Sequence, residues 1–462
     1  MKKLAYILTA AMTLFMASCE DELVQNPNTT KVADNFYSNE AELEEAINAV
    51  YATLQFTGVY NTGMPAVGEL PGEDAYDETP ANDGGVYGML DDFNVIPQSS
   101  LIANVWEDSY KGIQRSNIVL NRIQEIEYDD PATKSARTGE MLFIRALLYF
   151  NLVRTFGDVP LIIEEVTNPQ EYFGQSRTPK GEVYGQIISD LEEASDLLPV
   201  RNESNKGRVV KTAAQALLGK VHLTLQDYTA AKSSLLDVVS ATVHDLVAVD
   251  EVFSLENELN EELIFVVQYA SGVNSNSEGS DAYRMFNPTG RQDGGLAGTK
   301  GHGVLKPDFY ALYTDNDTRK GSYVGVLPSG LAYTNKIAVP TTVVDDSGSD
   351  WVVLRYADVL LMLAEAENEL GNATEAIGYL DMIRERAGLE EYPGATDQQS
   401  IFEEIDLQRR LELVWEGQRW FDLLRQGRAQ SLLGITDANK LLLPLPASQI
   451  AADPALQQNP GY

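Results

Sequence analysis

Apolar and polar positions follow a helical period over the stretch from Arg355 to Leu389. Apolar side chains recur three and four residues apart, first at positions 359, 360, 363, 364 and 366 and then at 376, 377, 380 and 383. Gly371 stands between the two runs, and glycine readily adopts the left-handed backbone that ends a helix. The pattern therefore predicts two amphipathic helices joined by a short turn.

The same pattern recurs between Thr212 and Val239. In the frame of a tetratricopeptide repeat, small and apolar residues fall where the two helices of a hairpin meet. These residues are Gly219, Ala231 and Leu235 in this hairpin and Ala364, Ala376 and Leu380 in the C-terminal one. The match is partial, because the Trp and Pro positions of the repeat hold other residues. The sequence therefore predicts packing that is similar to that of a tetratricopeptide repeat.

Five further stretches carry helical periodicity or capping residues. They are a helix begun by Asn39 and Glu42, one that contains Trp106 and Ile123, one from Ala132 to Phe156, one opened by Thr178-Pro179 and ended before Pro199, and one from Ile401 to Gln426. Asn39 and Glu42 have the spacing of a capping box. Proline is favoured in a first turn, and Gly157 is a stop signal.

Two long segments lack this periodicity. Residues 58–100 are dense in Gly, Pro, Asn and Asp, and residues 246–350 alternate short β-type runs such as Leu263 to Tyr269 with polar loops. A long irregular segment inside a compact domain is usually functional or disordered, and isolated aromatics in the first segment favour function. The sequence predicts a mainly α fold, a tetratricopeptide-like hairpin scaffold with a loop-rich, partly β variable insertion. Its expected parts are 36–245, 246–350 and 351–462.

The N-terminus has the pattern of an export signal. Lys2 and Lys3 precede an apolar run from Leu4 to Met16, which is too short to span a bilayer, and small residues then lead to Cys19. The pattern resembles a bacterial lipoprotein signal, so we expect a signal peptide at 1–18, lipidation of Cys19 and a membrane anchor. Residues 19–35 read as a tether. Its acidic start resembles a surface-export signal of Bacteroidetes lipoproteins and equally fits a solvated linker.

The acidic balance narrows the classes of ligand. The 462 residues carry 69 Asp and Glu against 34 Lys and Arg, a formal net charge of −35. Such a surface repels phosphate backbones and other polyanions, so nucleic acid is not an expected partner. Such an acidic surface is also typical of proteins that are highly soluble or adapted to a salty habitat.

The sequence lacks the residue spacings of the common catalytic and metal-binding motifs. The three histidines, His222, His244 and His302, have no zinc-type spacing, and Cys19 is the one cysteine. No phosphate loop, dinucleotide fingerprint or serine elbow occurs. We therefore predict no catalytic residue, no metal site and no cofactor.

Several motifs in order resemble the SusD/RagB family. They are W-x-x-x-Y-x-x-I-x-x-x-N from Trp106, R-A-L-L-Y-F-N-L-V-R-T-F-G-D-V-P-L from Arg145, R-Y-A-D-V-L-L-M-L-A-E-A from Arg355, R-R-L-E-L-V-W-E-G-Q-R-W-F-D-L-L-R from Arg409 and the terminal Q-N-P-G-Y. The resemblance implies a non-catalytic glycan-binding lipoprotein on the outer face of a Bacteroidetes outer membrane. It also implies a lid over a SusC-like, TonB-dependent transporter that receives the captured oligosaccharide, and a helical core with a variable ligand-binding part.

A glycan site needs exposed aromatic planes for the C–H faces of sugars and short polar groups for their hydroxyls. Two segments, Glu73 to Asn94 and Asp281 to Arg291, interleave both kinds of residue, and Trp351 follows a polar run. The candidate glycan-binding residues are Asp74, Tyr76, Tyr87, Phe93, Tyr283, Arg284, Phe286, Asn287 and Trp351. For each aromatic residue, local packing is the competing interpretation. We assign Trp415 and Trp420 to the core and favour packing for Trp106.

Three functions remain open at this point. The acidic surface favours capture of a neutral glycan, such as an α-glucan or a β-glucan, over a polyuronate. A peptide-binding protein of a similar transporter is the alternative, because extended loops also hold peptides. A surface hydrolase is the least favoured, although carboxylate pairs for glycoside hydrolysis are defined by spatial separation and not by sequence spacing.

Overall fold

The computed structural model describes residues 37–168, 173–275, 277–291, 298–337 and 343–462. The predicted signal peptide, Cys19 and the tether lie outside the described residues.

The chain from residue 37 to residue 245 is mainly helical. Its elements are α1 (Glu40–Tyr51), α2 (Gly63–Glu69), β1 (Ala75–Tyr76), α3 (Gly88–Asp91), α4 (Ser100–Arg122), α5 (Pro131–Phe156), α6 (Lys180–Leu197), α7 (Lys211–Thr224) and α8 (Tyr228–Ser240). Shorter helical turns occupy Ala52–Gln55, Thr57–Asn61 and Asn82–Gly85. The segment 58–100 is thus partly helical, and α2 is buried along its whole length.

Capping residues begin and end the long helices as the sequence predicts. The Asn39 side chain accepts a hydrogen bond from the Glu42 amide at 3.1 Å and begins α1. The Glu42 carboxylate reaches the Ser38 amide at 2.9 Å, one residue before the expected partner. Asp130 caps α5, and Gly157 ends it with a φ of 77°.

The middle of the chain carries short strands and short helices. They are β2 (Leu263–Val267), α9 (Ala282–Phe286), β3 (Val304–Leu305), α10 (Pro307–Tyr310), α11 (Arg319–Ser322), β4 (Val324–Val326) and β5 (Ala332–Thr334). One antiparallel sheet has the order β1-β3-β5-β4, so it joins the first loop segment to the middle of the chain. This composition agrees with the expected loop-rich, partly β insertion.

The C-terminal part returns to helices. Its elements are β6 (Trp351–Arg355), α12 (Tyr356–Glu369), α13 (Ala373–Arg386), α14 (Gln398–Leu413), α15 (Arg419–Arg425), α16 (Ala429–Leu433) and α17 (Ala447–Ala452), with a 3₁₀ turn at Ala438–Leu441. Strand β6 pairs with β2 in an antiparallel two-stranded sheet, and all ten residues of the two strands are buried.

The two predicted hairpins are α7–α8 and α12–α13, and α12 packs against both α8 and α14. A Cβ built at Gly219 would lie 2.5 Å from Cγ and Cδ2 of Leu235, so α7 and α8 approach more closely than a larger residue allows. Gly371 ends the turn after α12 with a φ of 81°. The fold is therefore the predicted helical, tetratricopeptide-like scaffold.

The last long helix differs from the prediction. The sequence predicts one helix from Ile401 to Gln426, whereas α14 ends at Leu413 and α15 begins at Arg419. The backbone between them is left-handed at Trp415 and Gly417, with φ of 58° and 72°. The Glu69 carboxylate accepts hydrogen bonds from the amides of Gly417 and Gln418 at 2.7 and 3.3 Å. A residue far away in the sequence thus stabilises the break.

A buried ion cluster connects the C-terminal helices to the middle of the chain. Arg355 Nη1 lies 2.6 Å from Glu412 Oε1 and 2.7 Å from Glu262 Oε1, and all three side chains are inaccessible to solvent. Arg319 Nη1 lies 3.2 Å from the other Glu412 oxygen, and Arg386 also pairs with Glu412. Because buried charges require partners, the cluster depends on every member.

Candidate functional site

The two loop segments predicted to bind ligand lie side by side. Strand β1 pairs with β3, and the Glu78 amide donates to the carbonyl of Gly301 at 2.9 Å. The Glu78 carboxylate accepts hydrogen bonds from the amide and hydroxyl of Thr289 at 2.8 and 2.6 Å. Thr79 Oγ1 donates to the carbonyl of Lys300 at 2.7 Å. Residues more than 200 positions apart thus form one surface region.

Charged groups gather where the segments meet. Lys300 Nζ lies 3.1 Å from Asp83 Oδ1, and the Lys300 amide donates to the Arg284 carbonyl at 2.8 Å. The Arg284 guanidinium lies 3.4 Å from a carboxylate oxygen of Asp345, and both side chains are more than a third exposed. We name Tyr76, Glu78, Asp83, Arg284 and Lys300 the loop platform. It offers an aromatic ring, two carboxylates, a guanidinium and an ammonium group.

Carboxylates influence the titration of two groups at this surface. Burial, with help from Glu78 and Asp91, raises the pKa of Tyr76. Burial and the charge of Asp345 raise the pKa of Asp281, while Arg284 opposes the shift. Tyr76 of the loop platform and the neighbouring Asp281 can donate and accept hydrogen bonds, as recognition of sugar hydroxyls requires.

Two of the nine candidate residues, Tyr76 and Arg284, contribute partly exposed side chains to the loop platform. Phe93 is also partly exposed, but its ring packs against Trp420 with 5.8 Å between the centroids. The other six candidates, Asp74, Tyr87, Tyr283, Phe286, Asn287 and Trp351, are buried. Their side chains are not available as ligand faces in this conformation.

Local contacts explain this burial. Asp74 forms an ion pair with Arg410. Tyr283 and Phe286 are fully buried on α9, and the Phe286 ring lies 4.7 Å from that of Trp415. Asn287 donates to the Tyr283 carbonyl at 2.9 Å. These residues hold the loops to the scaffold, which is the competing interpretation given above for the aromatics.

Tyr87 and Trp351 are placed in different surroundings. The Tyr87 ring stacks on His302 with 4.4 Å between the centroids and an angle of 22°. Trp351 begins β6, opposite Val267 of β2, and is 7% exposed. Tyr87 therefore packs in the buried layer next to the loop platform, whereas Trp351 belongs to the two-stranded sheet. Trp415, Trp420 and Trp106 are buried, as expected.

Sequence reasoning missed Glu78, Asp83, Lys300 and His302. Their contacts join residues more than 200 positions apart, so no local spacing reveals them. The high density of Gly, Asn and Asp in residues 80–85 was the one available signal, because it indicated a tight turn.

A second opening lies away from the predicted loops. It is an apolar groove of about 580 Å³ between α4, the connection before α6 and the C-terminal tail. Trp106, Tyr110, Ile162, Phe173 and Leu456 are among its lining residues. Phe173 is 58% exposed, which is high for an aromatic side chain. We name this opening the apolar groove.

The described residues offer neither a metal-binding cluster nor a membrane-spanning helix. Within the described ranges, no group of three or more His, Cys, Asp or Glu side chains is arranged to hold a metal ion. Among the helices of the part of the chain that the structure describes, none combines the length and the apolar character needed to cross a bilayer.

Two family models match this chain. The model described as the SusD family matches residues 329–440. The model described as starch-binding and associating with the outer membrane matches residues 26–223. The second description indicates association with the outer membrane.

Relatives and solved structures agree with the models. A SusD-like protein of Formosa agariphila is 26% identical, over 92% of this chain and 90% of its own length. A laminarin binding SusD-like protein of known structure is 27% identical, with a TM-score of 0.80 over 92% of this chain and 100% of that one. A SusD superfamily structure from Parabacteroides distasonis is 26% identical, with a TM-score of 0.79 over 94% of this chain and 100% of that one. These similarities support a glycan-binding role, and the chain belongs to the SusD/RagB family.

Proposed function

We propose that the protein captures a neutral glucan on the loop platform and passes it to a SusC-like, TonB-dependent transporter in the outer membrane. It acts by binding and not by cleaving glycosidic bonds. The observation that carries the proposal is the convergence of the two loop segments, which brings Tyr76 and Arg284 into one hydrogen-bonded region with Glu78.

The chemistry of the loop platform suits a sugar chain. The partly exposed ring of Tyr76 can pack against the C–H face of a sugar, and the carboxylates and cations nearby can bind its hydroxyls. Binding residues commonly lie on loops held by a rigid scaffold, and the helical hairpins supply that scaffold.

Charge and similarity favour a neutral glucan. The net charge of −35 opposes the approach of a polyuronate or a sulfated glycan. A relative with 27% identity and the same fold over its whole length is named for laminarin binding. One matching family model is described as starch-binding. Laminarin and starch are therefore the first ligands to test.

Affinity electrophoresis of a soluble form, residues 20–462, tests the proposal. We expect retardation in gels that contain laminarin or starch and none in gels that contain alginate. Tyr76→Ala and Arg284→Ala should each weaken retardation, whereas Tyr379→Ala, at a half-exposed tyrosine on α13, should not. No retardation by any glycan, or equal effects of all three substitutions, would contradict the proposal. Release of reducing ends would indicate a hydrolase instead.

Anchoring and partnership have their own test. If Cys19 is acylated, the full-length protein should fractionate with outer membranes, and intact cells should expose it to added protease. Cys19→Ser should release it from the membrane without changing its affinity for glycan. Detergent extracts of the source cells should yield a complex with a TonB-dependent transporter. Isolation of the protein without that partner would contradict delivery to such a transporter.

A second candidate function, peptide binding, rests on the apolar groove. Its volume of about 580 Å³ and its apolar walls are suited to side chains of an extended peptide. Titration with a mixed peptide library, read by the fluorescence of Trp106, would detect such binding. Saturable binding that Phe173→Ser abolishes would favour this function, and no response would leave glycan capture as the sole proposal.

A further inference from the structure

His302 occupies an unusual position under the loop platform. Its side chain is fully buried, with Nδ1 at 3.0 Å from Asp77 Oδ1 and Nε2 at 2.9 Å from Asp83 Oδ2. A neutral imidazole carries one N–H and can donate to one carboxylate, whereas an imidazolium donates to both. The geometry therefore fits a protonated ring that bridges two carboxylates.

The bridge fastens an otherwise exposed turn. Asp83 has a φ of 49°, and Gly84 and Gly85 follow it with φ of 74° and 73°. Residues 80–84 are exposed to solvent. The Asp83 contacts to His302 and Lys300 attach this turn to the irregular segment that leads into β3. The same turn connects Glu78 of the loop platform to Tyr87.

Charged groups around the ring come from several elements. Asp77 and Asp83 approach from the first loop segment, and Lys300 from the chain beside His302. Tyr87 covers one face of the ring, and Asp91 at the end of α3 accepts a hydrogen bond from the Asp77 amide at 3.1 Å.

Among the described residues, the cations that act on these carboxylates are Lys300 at Asp83, Lys306 at Asp91 and Arg284 at Asp281. Burial raises the pKa of the Tyr87 hydroxyl, and the charge of Asp281, which precedes α9, adds to this shift. Burial alone would lower the pKa of His302, but the hydrogen bonds and charges of Asp77 and Asp83 outweigh it and raise the pKa.

We propose that His302 is a positioning residue of the loop platform, whose imidazolium holds the turn at residues 78–86 in its ligand-binding conformation. The inference rests on the proposed glycan capture and adds its regulation by pH. A histidine whose pKa is raised by folding contributes its full stabilisation below the unfolded pKa of about 6.5, and that contribution is lost as the pH rises through the folded pKa. The turn therefore loosens, and glycan binding weakens, toward alkaline pH.

The conformation of the turn can be measured without any glycan. In the soluble form with Cys19 removed, Asn82→Cys on the exposed turn provides a unique site for a nitroxide label. We expect the label to gain motion as the pH rises from 6 through the transition of His302. His302→Gln, which stays neutral, should give the mobile spectrum at every pH. The control His222→Gln, at a half-buried helical histidine, should keep the pH response.

Glycan affinity provides the second measurement. Loss of one charge-assisted hydrogen bond should weaken binding by about tenfold across the transition, and His302→Gln should be weak and independent of pH. An NMR titration midpoint of His302 below 6.5, or a label whose motion ignores pH, would overturn the inference. A pH-dependent label together with no glycan binding would refute glycan capture alone and leave the imidazolium bridge in place.

Discussion

The close contact between α7 and α8 predicts the effect of Gly219→Ala. The added methyl would lie 2.5 Å from Leu235 Cγ and Cδ2, although carbon atoms prefer separations of about 3.5–4.0 Å. Leu235 is fully buried, so its side chain has little room to move. Overpacking of a core costs about 1–3 kcal/mol. Against this cost, alanine in a helix interior stabilises the folded state by about 1 kcal/mol relative to glycine.

Gly378→Ala is the matched control. Gly378 lies inside α13, and a Cβ built there meets no atom within 4 Å. This substitution should therefore stabilise the protein by about 0.5–1 kcal/mol. The free energies of unfolding of the two variants should differ by about 1–3 kcal/mol, which is the steric contribution alone.

Urea unfolding of the soluble form, followed by circular dichroism, measures both variants. The urea midpoint of Gly219→Ala should be lower than that of Gly378→Ala. The glycan affinity of folded Gly219→Ala should be unchanged. Equal shifts for both variants would refute the close packing of the α7–α8 hairpin.

Two further predictions concern the buried ion cluster and the buried tryptophan. Glu412→Gln should lower the free energy of unfolding by about 3–5 kcal/mol at pH 7, because Arg355 and Arg386 would lose a buried counter-charge. Burial opposes ionisation of Glu412, but these arginines hold its pKa well below the usual range, so its contribution is present above about pH 4.5 and is lost as the pH falls. The difference between the variant and the parent in urea midpoints should therefore shrink toward acid pH, and a constant difference would contradict this origin. Trp351→Phe should lower the urea midpoint without changing retardation by laminarin or starch, because Trp351 packs in the β2–β6 sheet. If a folded Trp351→Phe protein were no longer retarded by these glycans, Trp351 would be a ligand contact after all.

The helices follow from the sequence because their signals are local. The Asn39 cap and the Gly157 stop act within a few residues, and the small residues of each hairpin act between two helices that are adjacent in sequence, as Gly219 does with Leu235. The break between α14 and α15 is different, because the Glu69 carboxylate from another part of the chain stabilises it. The apolar periodicity continues through Trp415 and Trp420, so it does not indicate the break.

The candidate site was harder to predict for two physical reasons. Ala282, Tyr283 and Phe286 share the buried face of the short helix α9, which turns Arg284 outward. A five-residue helix is too short for its period to be recognised within a loop. The remaining polar groups meet only through long-range pairing, as His302 does with Asp77. Sequence thus selected two segments that the structure brings together and misjudged which of their side chains face solvent.

A crystal structure of the soluble form with a laminarin oligosaccharide tests the central claim most directly. Glycan capture at the loop platform predicts sugar rings stacked on Tyr76, with hydroxyl groups within hydrogen-bond distance of Arg284 and Glu78. Sugar bound in the apolar groove beside Phe173, with the loop platform empty, would contradict it.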